Sequence, residues 1–247
     1  MTLQGTLAGK TAVVTGGGTG IGLGVAVALA RAGCRVAIAG RRADVLDAAV
    51  AADKTDPPMI AHVLDVADRG NVGEFFRWAE KSLGRVDILV NSAGVNIRRR
   101  SMAEMPPEEW DRVMAINATG VYNCMREVLP AMAKRGDGLV VTISSISGLR
   151  ASMLGGTAYS ASKFAASALC TAVALEYGQQ GVRITNVCPG EVDTPILEQR
   201  PNPVSDEHRA RILQPADVGA AVVMIASLPP RAHIPELIIK PTWQDFS

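Results

Sequence analysis

Apolar residues along the chain gather into short β-branched runs separated by Ala-rich segments of helical period. Runs at Thr11–Thr15, Arg35–Ala39, Met59–Val66, Val86–Asn91, Gly138–Ser144, Val182–Val187 and Glu236–Lys240 read as strands. The spacing predicts helices over Ile21–Ala32, Ala43–Ala52, Val72–Ser82 and Asp217–Ser227, and long helical patterns precede the fifth and sixth strands. Three strands carry unbroken apolar triplets, Ala12-Val13-Val14, Ile88-Leu89-Val90 and Leu139-Val140-Val141. Strands covered on both faces read this way. The alternation predicts an α/β fold of Rossmann type, a doubly wound parallel sheet of about seven strands with helices on both faces.

No repeat, low-complexity tract or linker interrupts the 247 residues, so one domain over 1–247 is the simpler organisation. The one long irregular stretch is Glu191–Pro215, with Pro195, Pro201 and Pro203. Loops beyond ~12–15 residues in a compact domain are usually functional, and this one is the expected substrate loop.

Composition narrows the function by exclusion. Twenty-five basic and 24 acidic residues leave a charge of +1, and aromatic residues are 4 % of the chain. Neither figure suits a nucleic-acid partner. Cys34, Cys124, Cys170 and Cys188 form no C-x-x-C pair, so no metal site or redox couple is expected, and buried thiols in a reducing compartment fit them. Met1–Lys10 lacks the apolar stretch of a signal peptide, and no apolar run is long enough to cross a membrane. The expectation is a soluble, cytoplasmic protein.

The first strand runs into Thr15-Gly16-Gly17-Gly18-Thr19-Gly20-Ile21-Gly22, and a helix follows. Glycines at this place let the backbone approach a pyrophosphate whose charge then sits at a helix N-terminus. A plain Gly-rich βα turn is the alternative. Where the second strand ends, an acidic residue would bond the ribose 2′-hydroxyl of NAD. Gly40-Arg41-Arg42 stands there instead. An arginine fork suits a 2′-phosphate, which points to NADP with NAD still possible; ordinary solvated helix-start residues are the alternative.

Tyr159-Ser160-Ala161-Ser162-Lys163 opens another helical segment. A separation of four sets Tyr159 and Lys163 on one helix face, about 5–6 Å apart at Cβ. A lysine cation and an oxidised nicotinamide both favour the phenolate, which would let the tyrosine act as general acid or base. Upstream, Ile143-Ser144-Ser145-Ile146-Ser147-Gly148 and Asn91-Ser92-Ala93-Gly94 both end strands, where open α/β sheets bind their ligands.

These motifs occur together and in order, and in them the chain resembles the classical single-domain branch of the short-chain dehydrogenase/reductase superfamily, from Thr15 to about Pro241. The resemblance implies an oxidoreductase moving a hydride between NADP(H) or NAD(H) and a carbonyl or secondary alcohol. It implies that Tyr159 exchanges the proton, Ser145 holds the substrate oxygen, and Lys163 bonds the nicotinamide ribose and lowers the tyrosine pKa. It further implies that Asn117 holds a water linking Lys163 to solvent. Gly16, Gly18, Thr19, Gly20, Ile21, Gly22, Arg41, Asp65, Val66, Asn91, Ala93 and Gly94 would serve the cofactor, as would Pro189, Gly190, Val192 and Thr194. Asp65 would face the adenine edge, Asn91 would brace the central strands, and Val192 and Thr194 would meet the carboxamide. Ser144 and Ser147 would be bystanders. The competing class is a nucleotide-binding regulatory or structural protein that kept the fold without the chemistry.

Departures from the family pattern are Ser92 in place of a second asparagine, Thr19 where NADP-preferring members often carry a basic residue, and a Trp243-containing end in place of a Gly-Gly pair. Residues 150–157 and 191–215 would line the substrate pocket, and nothing in them names a substrate. Arg98-Arg99-Arg100 reads as a solvated loop, with attraction of an anion as the alternative. His62, His208 and His233 cluster with no nucleophile or carboxylate pair and read as packing or surface residues, and Glu191 and Asp193 stay unassigned. The segment Ala161–Tyr177 is apolar around its whole circumference, which predicts burial on all sides and hence self-association. The resemblance implies a homotetramer built on that helix and Asn117–Lys134.

Overall fold

A computed structural model describes residues 6–245. Seven parallel strands form one sheet in the order β3-β2-β1-β4-β5-β6-β7. They are β1 (Thr11–Thr15), β2 (Arg35–Gly40), β3 (Ile60–Val63), β4 (Ile88–Asn91), β5 (Gly138–Ile143), β6 (Val182–Pro189) and β7 (Glu236–Ile239). Side chains alternate across the sheet and divide the core in two. Val13, Leu89 and Val140 face one way, with Phe75 of α3 (Arg69–Leu83), Met125 of α5 (Gly120–Arg135) and Cys170 of α6 (Thr157–Tyr177). Val14, Val90 and Val141 face the other way, with Leu29 of α1 (Gly20–Arg31), Leu46 of α2 (Ala43–Ala52) and Val222 of α8 (Pro215–Ala226). The expected doubly wound α/β fold is the fold observed.

Differences from the expected elements have local causes. β3 covers only Ile60–Val63 rather than Met59–Val66, because Asp65 turns the chain: its carboxylate accepts from Ala67 N at 3.0 Å and its N–H donates to Asn71 Oδ1 at 2.7 Å. α3 starts at Arg69, ahead of the expected Val72, since the Asp68 carboxylate caps it by accepting from Gly70 N and Asn71 N. α8 starts at Pro215, where Gln214 and Asp217 make a reciprocal capping box. The stretch 191–215 is not wholly irregular. It contains a 3-10 turn at Pro195–Gln199 and α7 at Asp206–Arg211, and Val192 bridges to Leu213. Before α5, the helix α4 (Pro107–Met114) passes through a π-helical turn at Ala115–Thr119. Among the described residues no helix is long and apolar enough to cross a membrane, and no cluster of His, Cys, Asp or Glu could hold a metal ion.

The strand order reverses between β1 and β4, the place where open α/β sheets take their ligands.

Candidate active site

The carboxyl ends of β1 and β4 are fastened at the reversal. Thr15 Oγ1 accepts from Ser92 N and Ala93 N, each at 3.2 Å. Gly16 follows with φ 65°, and a Cβ there would fall 2.8 Å from Ala93 Cα. Gly22, in the first turn of α1, lies so close to Gly16 that a Cβ would sit 2.2 Å from its carbonyl oxygen. These two contacts are what the glycines permit. Thr19 caps α1 with its backbone only, so its side chain leaves the first N–H groups of the helix free of a side-chain cap.

A cleft of about 250 Å³ opens above this turn. Gly16, Gly18, Thr19, Arg41, Asp65 and Val66 line it, as do Ala93 and Gly94. Arg41 and Arg42 are exposed at one end. Gly20 touches the far side of the site, because a Cβ on it would lie 3.2 Å from Thr194 Cβ. Asn91 Nδ2 donates to Thr142 Oγ1 at 3.4 Å, a brace between β4 and β5. Val192 is buried, and Gly190 N donates to Ile239 O at 2.8 Å, which holds the Pro189-Gly190 end of β6 against β7.

The chemical residues converge on α6. Asn117 sits in the π-helical turn, the kind of irregular turn that often marks a functional position. Its Oδ1 accepts from Val95 N at 2.8 Å, and its Nδ2 donates to Val95 O at 2.9 Å and to Ser162 Oγ at 3.0 Å. It thereby ties the loop after β4 to α6. A side chain on Gly94 would begin 3.5 Å from Asn117 Oδ1 and 3.6 Å from Lys163 Nζ, so both groups face that loop. Lys163 Nζ donates to Ile143 O at 2.8 Å and lies 5.6 Å from the centre of the Tyr159 ring. Ser145 accepts from Ser147 N at 3.0 Å, and its hydroxyl lies near enough to the Tyr159 phenol to act on its titration. Ser144 instead turns beneath α6, donating to Lys163 O and meeting Ser167 Oγ.

Burial dominates the titration of this group. It raises the Tyr159 phenol above its ordinary value, and the Ser145 hydrogen bond and the Arg100 charge work in the opposite direction. The shift runs against the lowering expected from Lys163, and the cation that lowers the phenol is Arg100. Burial also pushes Lys163 down to about 8.

Comparison with known proteins identifies the family. The family model for short chain dehydrogenases matches residues 10–204. Oxidoreductase UcpA of Salmonella typhimurium is 36% identical over 237 residues, covering 91% of this chain and 90% of UcpA. The chain belongs to the short-chain dehydrogenase family. Glycine betaine reductase ATRR of Emericella nidulans is 37% identical over 96% of this chain, which spans only 19% of that longer protein. Among solved structures, an alcohol dehydrogenase from the archaeon Thermococcus sibiricus, complexed with 5-hydroxy-NADP, superposes with a TM-score of 0.85 at 28% identity. It covers 96% of this chain and 98% of its own. This short-chain dehydrogenase is therefore an oxidoreductase with a Rossmann-type sheet.

Its 191–211 segment is held by contacts that sequence reasoning missed. Glu191 receives Arg200 Nη2 at 2.9 Å and meets His208 Nε2 at 2.6 Å, so this carboxylate joins His208 to Arg200. Asp193 pairs with Arg209. Trp243 donates from Nε1 to Arg211 O at 2.9 Å and its ring faces His208, while Gln244 Oε1 accepts from Glu191 N at 3.0 Å. Arg98 and Arg99 are exposed, as a solvated loop requires, and Arg100 departs from that expectation. Arg99 pairs with Glu109 at 3.3 Å, Arg98 Nη2 donates to Glu198 O at 3.2 Å, and Arg100 is half-buried. His62 and His233 keep the packing roles expected of them: His62 stacks near Trp78, and His233 Nε2 meets Ile184 O.

The depressed Lys163 value has a testable sign. Between about 8 and 10.5 the unfolded chain still holds the proton that the fold has released, so stability rises with pH across that window. In urea titrations of the cofactor-free short-chain dehydrogenase, the parent should gain on a Lys163→Met variant over that range. Parallel curves would mean that the amine titrates normally.

Proposed function

We propose that the chain is an NADP(H)-preferring oxidoreductase that interconverts a carbonyl and a secondary alcohol, with Tyr159 as general acid and base. The observation that carries this reading is the Tyr159 ring with Lys163 Nζ 5.6 Å from its centre, one helical turn on, and Ser145 acting on its phenol, beyond the carboxyl ends of the strands. The residues present suit a dinucleotide. Gly16 and Gly22 leave backbone where side chains would collide, the α1 N-terminus faces the cleft without a side-chain cap, and exposed arginines stand at the adenosine end.

When bound, the nicotinamide supplies or accepts the hydride. In carbonyl reduction, Tyr159 gives its phenolic proton to the substrate oxygen, and Ser145 holds that oxygen by a hydrogen bond. In alcohol oxidation the same phenolate takes the proton back. Lys163, turned now to Ile143 O, is placed to bond a ribose hydroxyl and to favour the phenolate once it is protonated. Asn117 keeps the Val95 loop and α6 in register and would anchor a water beside Lys163. Residues 191–215 act as the substrate loop of one domain over 1–247, and residues 150–157 line the opposite wall. Four buried free thiols suit a reducing cytoplasm.

The oligomer follows from α6. Phe164 is 42% and Leu175 81% exposed in the single chain, and Ala168 and Ala172 between them are exposed too. Tyr122 of α5 is exposed as well. The expected burial on all sides is therefore incomplete within one chain, and a second copy covering this apolar stripe supports the homotetramer. Light scattering at micromolar concentration should give a mass above one chain; a monomer mass would reject it.

Tyr159→Phe should lower turnover by at least ~10²-fold and leave cofactor affinity nearly unchanged, because only the hydroxyl is lost. Activity within a few-fold of the parent over a panel of carbonyls would reject the acid/base assignment. An inactive parent that still binds NADP would favour the catalytically silent alternative.

Arg41→Ala should cost NADP roughly 10- to 150-fold in affinity, the worth of a charge-assisted hydrogen bond, and spare NAD. Gly40→Asp should reverse the preference. The position has room, since a Cβ there meets only Leu46 Cδ2, at 3.8 Å. Equal losses for both cofactors in Arg41→Ala, measured by titration, would show that this arginine does not read the 2′-phosphate.

A further inference from the structure

Arg100 lies outside every motif of the family resemblance, yet its side chain joins three segments around Tyr159. Nε donates to Ile97 O at 2.8 Å within its own loop. Nη1 donates to Leu154 O, in the loop that feeds α6. Nη2 donates to Gln199 O at 2.9 Å, at the end of the 3-10 turn of the 191–211 segment. The backbone closes the same junction: Thr157 N, the first residue of α6, donates to Arg100 O at 3.2 Å. Gly156 passes so close that a Cβ on it would fall 2.5 Å from Arg100 Cβ. A guanidinium can serve three carbonyls in one plane because its donors are fixed in a fork, and an ammonium cannot reproduce that spacing.

Among the described residues no carboxylate pairs with Arg100. Its charge is felt by Tyr159 and opposed by Arg200, which is itself bound to Glu191. The groups facing the phenol are Ser145 from the loop after β5, Lys163 from α6 at 5.6 Å from the ring centre, and Arg100 from the loop after β4.

We propose that Arg100 is a positioning residue that latches the 195–199 turn to the loop carrying Tyr159 and holds a fixed positive charge beside the phenol. The charge part rests on the reading of Tyr159 as acid and base, whereas the latch does not. Three donated hydrogen bonds set the width of the substrate entrance. The unneutralised cation favours the phenolate against the burial that disfavours it.

Two variants of the full-length protein separate the two parts. Arg100→Lys keeps the charge and loses the fork, and Arg100→Gln loses both. Hydrogen exchange of the cofactor-free protein should show peptides over 150–156 and 195–199 opening about tenfold or more faster in both variants, as loss of charged hydrogen bonds to carbonyls implies. With any alcohol that the parent oxidises, KM should rise in both variants. The pKa governing the rise of kcat/KM with pH should move up in Arg100→Gln and stay near the parent value in Arg100→Lys. Unchanged exchange in both variants overturns the latch. An unmoved pKa in Arg100→Gln, or equal movement in both, overturns the electrostatic role. A parent inactive on every substrate defeats the Tyr159 reading, and the exchange data still decide the latch.

Discussion

The Thr15 hydroxyl, accepting from Ser92 N and Ala93 N, holds the site together by joining the ends of two strands from opposite halves of the sheet. From β1 the chain continues into the glycine turn and α1. From β4 it continues through Gly94 and Val95 to Asn117, and by way of Ser162 to α6. The separation between the glycine turn and the Tyr159–Lys163 pair is thus set by buried strand ends rather than by loops. A site mounted on such elements keeps its geometry to within a fraction of an ångström.

Removal from water works on both ionisable partners of α6 and drives them toward neutrality, the phenol upward and the amine downward. Charges introduced into so dry a space act over longer range than they would in solvent. Ser145, which favours the phenolate, carries a hydroxyl that can donate or accept.

Most of the sheet and the convergent residues were legible because they leave local signatures. β-branched runs mark strands buried on both faces, glycines mark a backbone pressed on itself, and a spacing of four marks a helix face. Illegible parts rest on partners distant in the chain. His208 and Glu191 are 17 residues apart and Arg100 and Gln199 are 99 apart, and no periodicity connects either pair. The Asp68 cap could have been read, since a carboxylate just before Gly70-Asn71 is an ordinary N-cap signal. The 195–199 turn could not, because carbonyl hydrogen bonds from Arg98 and Arg100 shape its surroundings and carbonyls leave no trace in residue identity.

Trp243 and Gln244 grip the 191–211 segment at its two ends, at Arg211 O and at Glu191 N, and leave the exposed stretch 201–203 between them. A strip pinned at both margins cannot swing like a door. It can bow instead, most readily over the exposed stretch 201–203, where the prolines at 201 and 203 have no N–H to donate to a backbone hydrogen bond. Movement of the segment then becomes a matter of how far a short span flexes between two fixed posts, and the length of chain between the posts limits that excursion.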